Sequence, residues 1–339
     1  MEFKMKRILY SLFIVGFAMT AFAQTKVGTT AATFLQMPIG TKASGMGGAF
    51  VATADDATAL FWNPGGISRL ARSEFSVSYS EWLAETNYSW AGLVFKLSPD
   101  DAIGVSVNQV DYGEGDVTTA AQPEGTGEKW SASSIAVGLT YTRSLTDRFS
   151  VGGTLKYVSE TVYNSSASAL AVDIGLLFKT QLDGLRLGMN ISNFGTEMQL
   201  SGKDLLQPID IDQSNTGNNA NITGNLATDA WPLPLNFVVG LAYDPVYNET
   251  FKVTLAADAN YPNNQTSYIN AGAEVVWNNL LALRVGYNSI FKDNPITGLM
   301  GGVGINYDLG GMNAKIEYSY SQIETFSKDI NRISVAVGF

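Results

Sequence analysis

The chain ends on the stretch Arg332-Ile-Ser-Val-Ala-Val-Gly-Phe339, and this stretch decides the fold class. Apolar residues alternate with small or polar ones up to the terminal carboxylate, which is the two-residue period of a β-strand with one apolar face. A chain that ends within a strand needs a partner for that strand's edge. A closed barrel provides one, because its last strand pairs with its first. An ordinary edge strand at the chain end is the alternative.

Alternation of the same kind recurs about fourteen times between residues 73 and 339, an even number, as in bacterial single-chain barrels. The pattern predicts an all-β fold: a transmembrane antiparallel β-barrel formed by residues 73–339, with outer-membrane lipid against its apolar face. Charged residues within the strands should face inward, because a lysine or arginine facing mid-membrane lipid costs about 2–4 kcal/mol. The predicted inward charges are Lys96, Lys156, Asp173, Arg186, Lys252, Asp258, Glu274, Arg284, Lys315 and Glu317.

The links between predicted strands alternate in length. Links from an even to an odd strand are short, such as Thr146–Arg148. Most of the others are long, including Gly113–Lys129, Ser159–Ala167 and Phe194–Pro232. Outer-membrane barrels have short periplasmic turns and long external loops. We therefore predict a protein of the bacterial outer membrane with both termini in the periplasm.

The first residues have the pattern of a secretory signal peptide. Lys4, Lys6 and Arg7 precede an uncharged apolar run, and Ala21-Phe22-Ala23 is a cleavage site of the A-x-A type. The apolar run is shorter than the roughly 20 residues of a transmembrane helix. The predicted signal peptide covers residues 1–23, with a short membrane anchor as the alternative.

Composition excludes several classes of function. The chain has no cysteine and no histidine, which removes disulfides, Ser-His-Asp triads and nearly all zinc sites. No cofactor site and no enzymatic activity are predicted. The net charge is −10, and loss of the signal peptide makes it more negative, so nucleic acid is not an expected partner.

Residues 24–72 lack a clean strand and are predicted to form an N-terminal hatch or plug in the barrel lumen. The glycines of Gly45-Met-Gly47-Gly48 allow tight turns, and the spacing is not that of a phosphate loop. Asp55 or Asp56 is expected to cap a short helix through Ala57-Thr-Ala-Leu-Phe-Trp62. The turn Asn63-Pro64-Gly65-Gly66 should end it.

The stretch ASGMGGAFVATADDATALFWNPGGIS, residues 43–68, resembles the start of PorV/PorQ family proteins within the FadL-like barrel superfamily. The resemblance implies a fourteen-stranded outer-membrane barrel with an N-terminal hatch. The family's hatch carries an Asn-Pro-Ala turn, whereas this chain has Asn63-Pro64-Gly65. The chain's end also resembles the C-terminal signal that the barrel-assembly machinery recognises, with Phe339 as its terminal aromatic residue.

The resemblance leaves two main functions open. PorV-type members serve type IX secretion, in which they bind the C-terminal sorting domains of exported cargo and shuttle them to the surface-attachment complex. FadL-like members instead pass hydrophobic molecules through the hatch and a lateral opening. The apolar hatch residues, such as Phe34, Leu60 and Trp62, would suit a hydrophobic ligand, but a small core of the hatch itself is the simpler explanation. An outer-membrane enzyme with carboxylate or Ser/Lys chemistry is a third, weaker hypothesis.

Two features of the predicted loops bear on partners. The Phe194–Pro232 loop holds apolar residues among polar ones, which indicates that it either binds a partner or folds over the barrel mouth. Leu205, Leu206 and Ile209 are the candidate partner contacts. Acidic residues in two loops, Glu114 and Asp116 in one and Asp204 and Asp212 in the other among them, have the oxygen ligands that Ca²⁺ requires. Solvated surface charge is the simpler explanation of those residues.

Overall fold

The last strand of the chain closes the sheet into a ring. In the computed structural model of the protein, Ile330–Gly338 pairs antiparallel with Glu74–Glu81 on one side and with Asn313–Ile323 on the other. Val335 lies opposite Val77 of the first strand and opposite Ile316 of the penultimate one. This pairing leaves the sheet without a free edge, so the closed barrel predicted from the C-terminal stretch is confirmed.

The structure describes residues 28–210, 214, 222–292, 295–323 and 329–339, and within them 14 antiparallel strands form the ring. The predicted fold class and strand number are therefore confirmed. The predicted signal peptide lies outside the described residues. The strands are β1 (Glu74–Glu81), β2 (Asn87–Lys96), β3 (Asp101–Asp116), β4 (Lys129–Thr146), β5 (Phe149–Val162), β6 (Ser165–Lys179), β7 (Leu185–Gly195), β8 (Asn236–Tyr247), β9 (Phe251–Pro262), β10 (Tyr268–Trp277), β11 (Leu281–Ile290), β12 (Thr297–Asp308), β13 (Asn313–Ile323) and β14 (Ile330–Gly338).

Alternate residues of each strand face out of the ring. In β1, Phe75, Val77 and Tyr79 are exposed, while the serines between them are buried. All ten charged residues predicted to face inward are buried or half-buried. Further charged residues at inward positions that this prediction did not include are also buried or half-buried, among them Glu74, Glu160, Asp244 and Arg332.

The links follow the predicted alternation with one exception. At the end of the barrel where β1 begins and β14 ends, called the terminal end here, the links between strands are short. At the opposite end, called the loop end, most links are longer. The predicted long loop Ser159–Ala167 is wrong: β5 and β6 continue to a turn of Tyr163 and Asn164, and Ser159 pairs with Ser168. The ladder continues because backbone hydrogen bonds do not require apolar side chains.

Outside the ring, the described residues form short elements only. In the β7–β8 loop, Met198–Gln199 pairs with Ala230–Trp231, and Leu206–Ile209 pairs with Ile222–Asn225. Within the described ranges, no helix is long and apolar enough to cross a membrane. The helices are Thr41–Gly45 and Ala59–Trp62, and the 3₁₀ turns are Thr33–Gln36, Pro64–Arg69, Leu83–Glu85 and Lys203–Leu205.

The N-terminal segment, residues 29–72, lies in the lumen of the ring. Its helix Thr41–Gly45 contacts β11 to β14, and its 3₁₀ turn Pro64–Arg69 contacts β3 to β6. These two groups of strands lie on different sides of the ring, so the segment crosses the lumen between them. Its apolar side chains, such as Phe34, Ile39 and Leu60, are almost fully buried and form the main core cluster.

Candidate functional site in the barrel lumen

The glycines of Gly45-Met-Gly47-Gly48 bring the backbone of the N-terminal segment against the wall. Gly47 has φ +68°, and a β-carbon on it would lie 2.7 Å from the Tyr287 nitrogen. A β-carbon on Gly45 would lie 3.1 Å from the Gly302 Cα. Among the predicted turn glycines, Gly47 is required both for the left-handed backbone conformation and for the close approach to β11.

The wall has glycines of its own at the positions that face this segment, a feature that sequence reasoning missed. A β-carbon at Gly286 would overlap the backbone of Gly47, and one at Gly152 would lie 2.5 Å from the Pro64 carbonyl carbon. The sequence feature that indicates these contacts is a glycine at an inward-facing position in many of the strands. These wall glycines, all in contact with the segment, are Gly152, Gly175, Gly188, Gly240, Gly272, Gly286 and Gly302.

The Asn63 side chain joins the segment to the wall. Its Nδ2 donates to the carbonyl oxygens of Val51 at 2.7 Å and Leu176 of β6 at 2.9 Å, and its Oδ1 accepts from the Gly65 nitrogen at 3.0 Å. Asn63 follows the helix Ala59–Trp62, so the structure places the predicted turn at the helix end. A β-carbon at Gly65 would lie 2.8 Å from the Gly175 carbonyl oxygen. The close contact leaves no room for a side chain at position 65.

The two acidic residues of the segment have different partners. Asp55 pairs with Lys42 at 2.8 Å and caps no helix. Burial lowers the pKa of Lys42, but the carboxylates of Asp55 and Glu274 outweigh it and hold that pKa above its ordinary value. Burial raises the pKa of Asp55, but the Lys42 ammonium outweighs it and holds that pKa well below its usual range.

Asp56 accepts from both the backbone nitrogen and the hydroxyl of Thr58, at 2.8 and 2.5 Å. Glu74 of β1 accepts from the Ala57 nitrogen at 2.8 Å and pairs with Lys315 at 2.7 Å. Burial raises the pKa of Asp56, and the nearby Glu74 carboxylate raises it further, to about 6. This carboxyl group therefore titrates near neutral pH, in contrast to Asp55.

A chain of buried ion pairs runs from the segment into the wall near the terminal end. Arg284 donates to Glu274 at 2.6 Å and to Glu317 at 2.7 Å. Lys42 lies 3.3 Å from Glu274, and the Thr41 hydroxyl donates to Glu317 at 2.8 Å. Each carboxylate contacts one partner in the wall and one in the segment. Displacement of the segment would therefore leave buried charges unpaired, which destabilises the protein.

A cavity of about 270 Å³ lies between the segment and strands β7 to β12, towards the loop end. It is called the loop-end cavity here. Its lining is mixed: the aromatic rings of Phe61, Trp62 and Tyr268 meet amide and hydroxyl side chains and the ammonium of Lys292. No motif in the sequence points to this cavity, since its polar residues are spread over seven strands.

The predicted partner contacts lie on the two-stranded ribbon of the β7–β8 loop. Leu206 and Ile209 are 46% and 42% exposed, whereas Leu205 is half-buried. Ile222, opposite Ile209, is also exposed. Ile209 and Ile222 therefore share one face of the ribbon, and Leu206, three residues before Ile209, lies on the other face. Met198, in the same loop, is instead buried in the core cluster.

The terminal aromatic residue extends the closure of the ring. The Phe339 nitrogen donates to the Ser73 carbonyl oxygen at 2.9 Å. The ring of Phe339 meets that of Phe95 edge to face, with centroids 6.2 Å apart. Phe339 is 48% exposed, on the outward surface, so it is placed for contact with lipid or with another protein.

Several acidic residues of the loops have protein partners. Glu114 pairs with Lys129 at 2.5 Å, and Asp204 accepts from the Asn164 amide at 3.1 Å. Asp212 lies outside the described residues. Among those that are described, no group of three or more acidic side chains is placed to hold a metal ion.

Solved structures of FadL-like barrels share this fold. CymD, a monoaromatic hydrocarbon channel, has a TM-score of 0.60 and 13% identity, over 89% of this chain and 98% of that one. The toluene transporter TodX of P. putida has a TM-score of 0.55 and 13% identity, over 88% and 96%. A FadL homologue of Pseudomonas aeruginosa has a TM-score of 0.52 and 11% identity, over 88% and 97%. At this identity the similarity shows the fold alone.

Sequence comparison identifies the family. No curated protein matches the chain. The family model described as type IX secretion system protein PorV matches residues 20–262, well over half of the 339 residues. The matched region includes the luminal segment with its Asn63 turn and strands β1 to β9. The chain therefore belongs to the PorV family of outer-membrane β-barrels related to type IX secretion.

Proposed function

We propose that this protein is a non-enzymatic component of a type IX-like secretion pathway, which binds the C-terminal sorting domain of exported cargo and shuttles it to surface attachment. In this proposal both termini lie in the periplasm and the loop end faces the outside. Family membership supports the pathway. The features of the barrel support a binding role over a transport role.

The observation that carries the proposal is the close contact between the N-terminal segment and the wall. Backbone meets backbone at Gly47 and Gly286, and the Asn63 amide bonds to the wall at Leu176. A channel requires a path through the lumen, whereas a protein that binds cargo at its surface does not. A lumen crossed by a segment that is bonded to the wall is therefore compatible with a shuttle and disfavours an open channel.

The ribbon of the β7–β8 loop is the proposed cargo contact. Exposed apolar side chains at the tip of a loop gain stability only by contact with a partner or with the rest of the loop. Among the described residues, the strand Leu206–Ile209 pairs only with Ile222–Asn225, so its other edge is open. A cargo domain with an exposed strand can add to such an edge.

The test is a pull-down with a purified cargo sorting domain from detergent-solubilised membranes. Combined replacement of Leu205, Leu206 and Ile209 by serine should abolish capture while the barrel stays assembled. The matched control replaces Leu182 and Leu309, which are 68% and 61% exposed in terminal-end turns, and should leave capture unchanged. Equal capture by all three proteins would refute the ribbon as the cargo site.

A second candidate function is diffusion of hydrophobic small molecules. It rests on the fold shared with the toluene transporter and on aromatic residues such as Phe61 and Trp62 in the loop-end cavity. The amide lining of the same cavity disfavours it, because an apolar molecule leaves amide groups unpaired. Uptake of radiolabelled toluene by cells with and without the protein separates the two functions, since only a channel makes uptake depend on it.

A further inference from the structure

An open groove of about 400 Å³ lies on the outward surface of strands β3 to β6. It is called the outer groove here. At its centre is Gly153 of β5, which lies opposite Tyr141 of β4 and Ile174 of β6 and brings no side chain to a position that faces lipid. The outward side chains that line the groove are those of Ile103, Leu139, Tyr141, Leu155 and Val172.

The apolar lining of the outer groove cannot by itself select a ligand. Lipid tails are as apolar as leucine, so within a membrane no hydrophobic driving force favours this groove over the rest of the barrel surface. A volume of about 400 Å³ falls within the roughly 300–1,000 Å³ of small-molecule sites, so there is room for part of an acyl chain. Selection of one kind of lipid therefore requires a polar contact beside the groove.

An ion pair on the outward surface supplies such a contact. The Arg143 Nε lies 3.7 Å from Oδ1 of Asp101, which is directly opposite on β3. Arg143 follows Tyr141 by two residues, so it faces outward as well and lies about 7 Å further towards the terminal end. The side chain of Arg143 is 59% exposed, and its guanidinium therefore has N–H groups open to a ligand.

The carboxylate of this pair is fixed in place by two hydroxyl groups. Asp101 accepts from the Tyr141 hydroxyl at 2.7 Å and from the Ser98 hydroxyl at 3.0 Å. A carboxylate has roughly four acceptor sites, so these two bonds leave capacity for a further donor. Tyr141 joins the two parts of the site, because its ring lines the outer groove and its hydroxyl bonds to Asp101.

The two opposite charges restrict the headgroup. A guanidinium matches the geometry of a phosphate, to which it can donate two parallel hydrogen bonds. The neighbouring carboxylate repels a headgroup that is only anionic and attracts an ammonium, and like charges placed together exclude wrong partners. Arg143 lies three residues before the end of β4 at Thr146, near the margin of the ring, where basic side chains reach the headgroup level of a membrane.

We propose that the outer groove binds one aminophospholipid. Its phosphate contacts Arg143, its ammonium contacts Asp101, and one acyl chain lies along Gly153. The choice of a phospholipid rests on the proposed orientation, because the periplasmic leaflet of an outer membrane consists of phospholipid and the external one contains lipid A. The site lies outside the ring, so it is independent of the lumen and of cargo binding by the loop ribbon.

Native mass spectrometry of the full-length, delipidated protein in detergent tests the proposal, with phosphatidylethanolamine, phosphatidylglycerol and lipid A as separate probes. One phosphatidylethanolamine should be retained, with an affinity about tenfold above that for phosphatidylglycerol. Gly153→Leu should weaken its binding by about tenfold or more, because the added side chain fills the groove. The variant should fold, since a β-carbon at Gly153 would lie 3.7 Å from its nearest neighbour, the Asp173 carbonyl oxygen.

Gly301→Leu is the matched control for the groove. Gly301 of β12 also faces outward, and a β-carbon on it would lie 3.8 Å from its nearest neighbour. The residues opposite it, Val285 and Tyr320, carry no charge. This variant should therefore retain phosphatidylethanolamine as the unchanged protein does. An equal loss from Gly153→Leu and Gly301→Leu would mean that only unselected lipid around the barrel is retained, and would overturn the proposal.

Two charge variants test the headgroup contacts. Arg143→Gln should weaken binding of both phospholipids, because the phosphate contact is lost. Asp101→Asn should raise the affinity for phosphatidylglycerol to that for phosphatidylethanolamine, because the repulsive carboxylate is removed. Compact gel mobility without heating shows that a variant is folded, and Arg143→Gln alone decides the question if Gly153→Leu does not fold.

Two further results would contradict the proposal. Equal affinity of the unchanged protein for the two phospholipids would mean that Asp101 selects nothing. Preferential binding of lipid A would assign the outer groove to the external leaflet. Labelling of single cysteines on intact cells tests the orientation separately, so failure of the lipid site and failure of the proposed orientation are distinguishable.

Discussion

Gly47 of the N-terminal segment lies directly against Gly286 of β11, with no room for a β-carbon at position 286. The neighbouring strand β10 repeats this arrangement, since a β-carbon at Gly272 would overlap the backbone of Met46. The segment is thus held by backbone contact as well as by side chains. Because packed interiors tolerate little added volume, one methyl group at this contact should displace the segment.

Gly286→Ala should loosen the segment without preventing barrel closure. Overpacking of this kind costs about 1–3 kcal/mol, and here the N-terminal segment can move more easily than the hydrogen-bonded wall. We expect a higher ion conductance in planar bilayers than for the unchanged protein. Gly301→Ala is the control, since Gly301 is on the neighbouring strand and the nearest atom to its added β-carbon is 3.8 Å away. Equal conductance of the two variants would show that the segment does not seal the lumen.

The stability of the Asp56→Asn variant, relative to that of the unchanged protein, should increase as the pH rises. The folded-state pKa of Asp56, about 6, exceeds the ordinary value of 3.8, so folding is penalised as pH rises from 3.8 through 6. Asparagine keeps an acceptor for Thr58 and carries no charge. Relative to the unchanged protein, the free energy of unfolding of the variant should rise by about 1–2 kcal/mol between pH 5 and pH 8. Urea unfolding in detergent measures it.

Asp55→Asn is the matched control for this pH dependence. The pKa of Asp55 is lowered in the folded state, so its stabilising pair with Lys42 is fully present above the unfolded value and is lost only at strongly acidic pH. Between pH 5 and pH 8 the variant should be destabilised by a constant amount. If the difference in unfolding free energy between Asp56→Asn and the unchanged protein is also constant over this range, the pKa of the Asp56 carboxyl group is not raised.

The architecture was predictable because it follows from short-range patterns. Alternation within each strand indicates its two faces, and the terminal strand through Phe339 indicates ring closure. The contacts of the luminal segment were not predictable, since they join distant positions such as Asn63 and Leu176. Arg332 illustrates the same limit: its place on the polar face was clear, but its near-complete burial with two unpartnered guanidinium nitrogens depends on the whole ring.

Deletion of Phe339, or Phe339→Asp, should impair assembly of the barrel. Either change removes the edge-to-face contact with Phe95 at the closing seam, and the charge also faces lipid. The unheated protein should lose its compact gel mobility, and less of it should reach the membrane. Phe291→Asp is the control, because Phe291 is 86% exposed beyond the end of β11 and lies away from the seam. Normal heat-modifiability of the Phe339 variants would contradict a role in assembly.

Single cysteines should reveal which end of the barrel faces the outside. The chain has no cysteine of its own, so an introduced one is the sole thiol. Thr119 lies exposed in the loop-end link between β3 and β4, and Asp183 lies exposed in the terminal-end turn between β6 and β7. With the termini in the periplasm, Thr119→Cys should react with an impermeant maleimide on intact cells and Asp183→Cys should not. Both should react after the outer membrane is permeabilised, which shows that neither thiol is hidden by the fold. Reaction of Asp183→Cys alone on intact cells would reverse the orientation and move the loop ribbon to the periplasm, where it could not contact cargo at the cell surface.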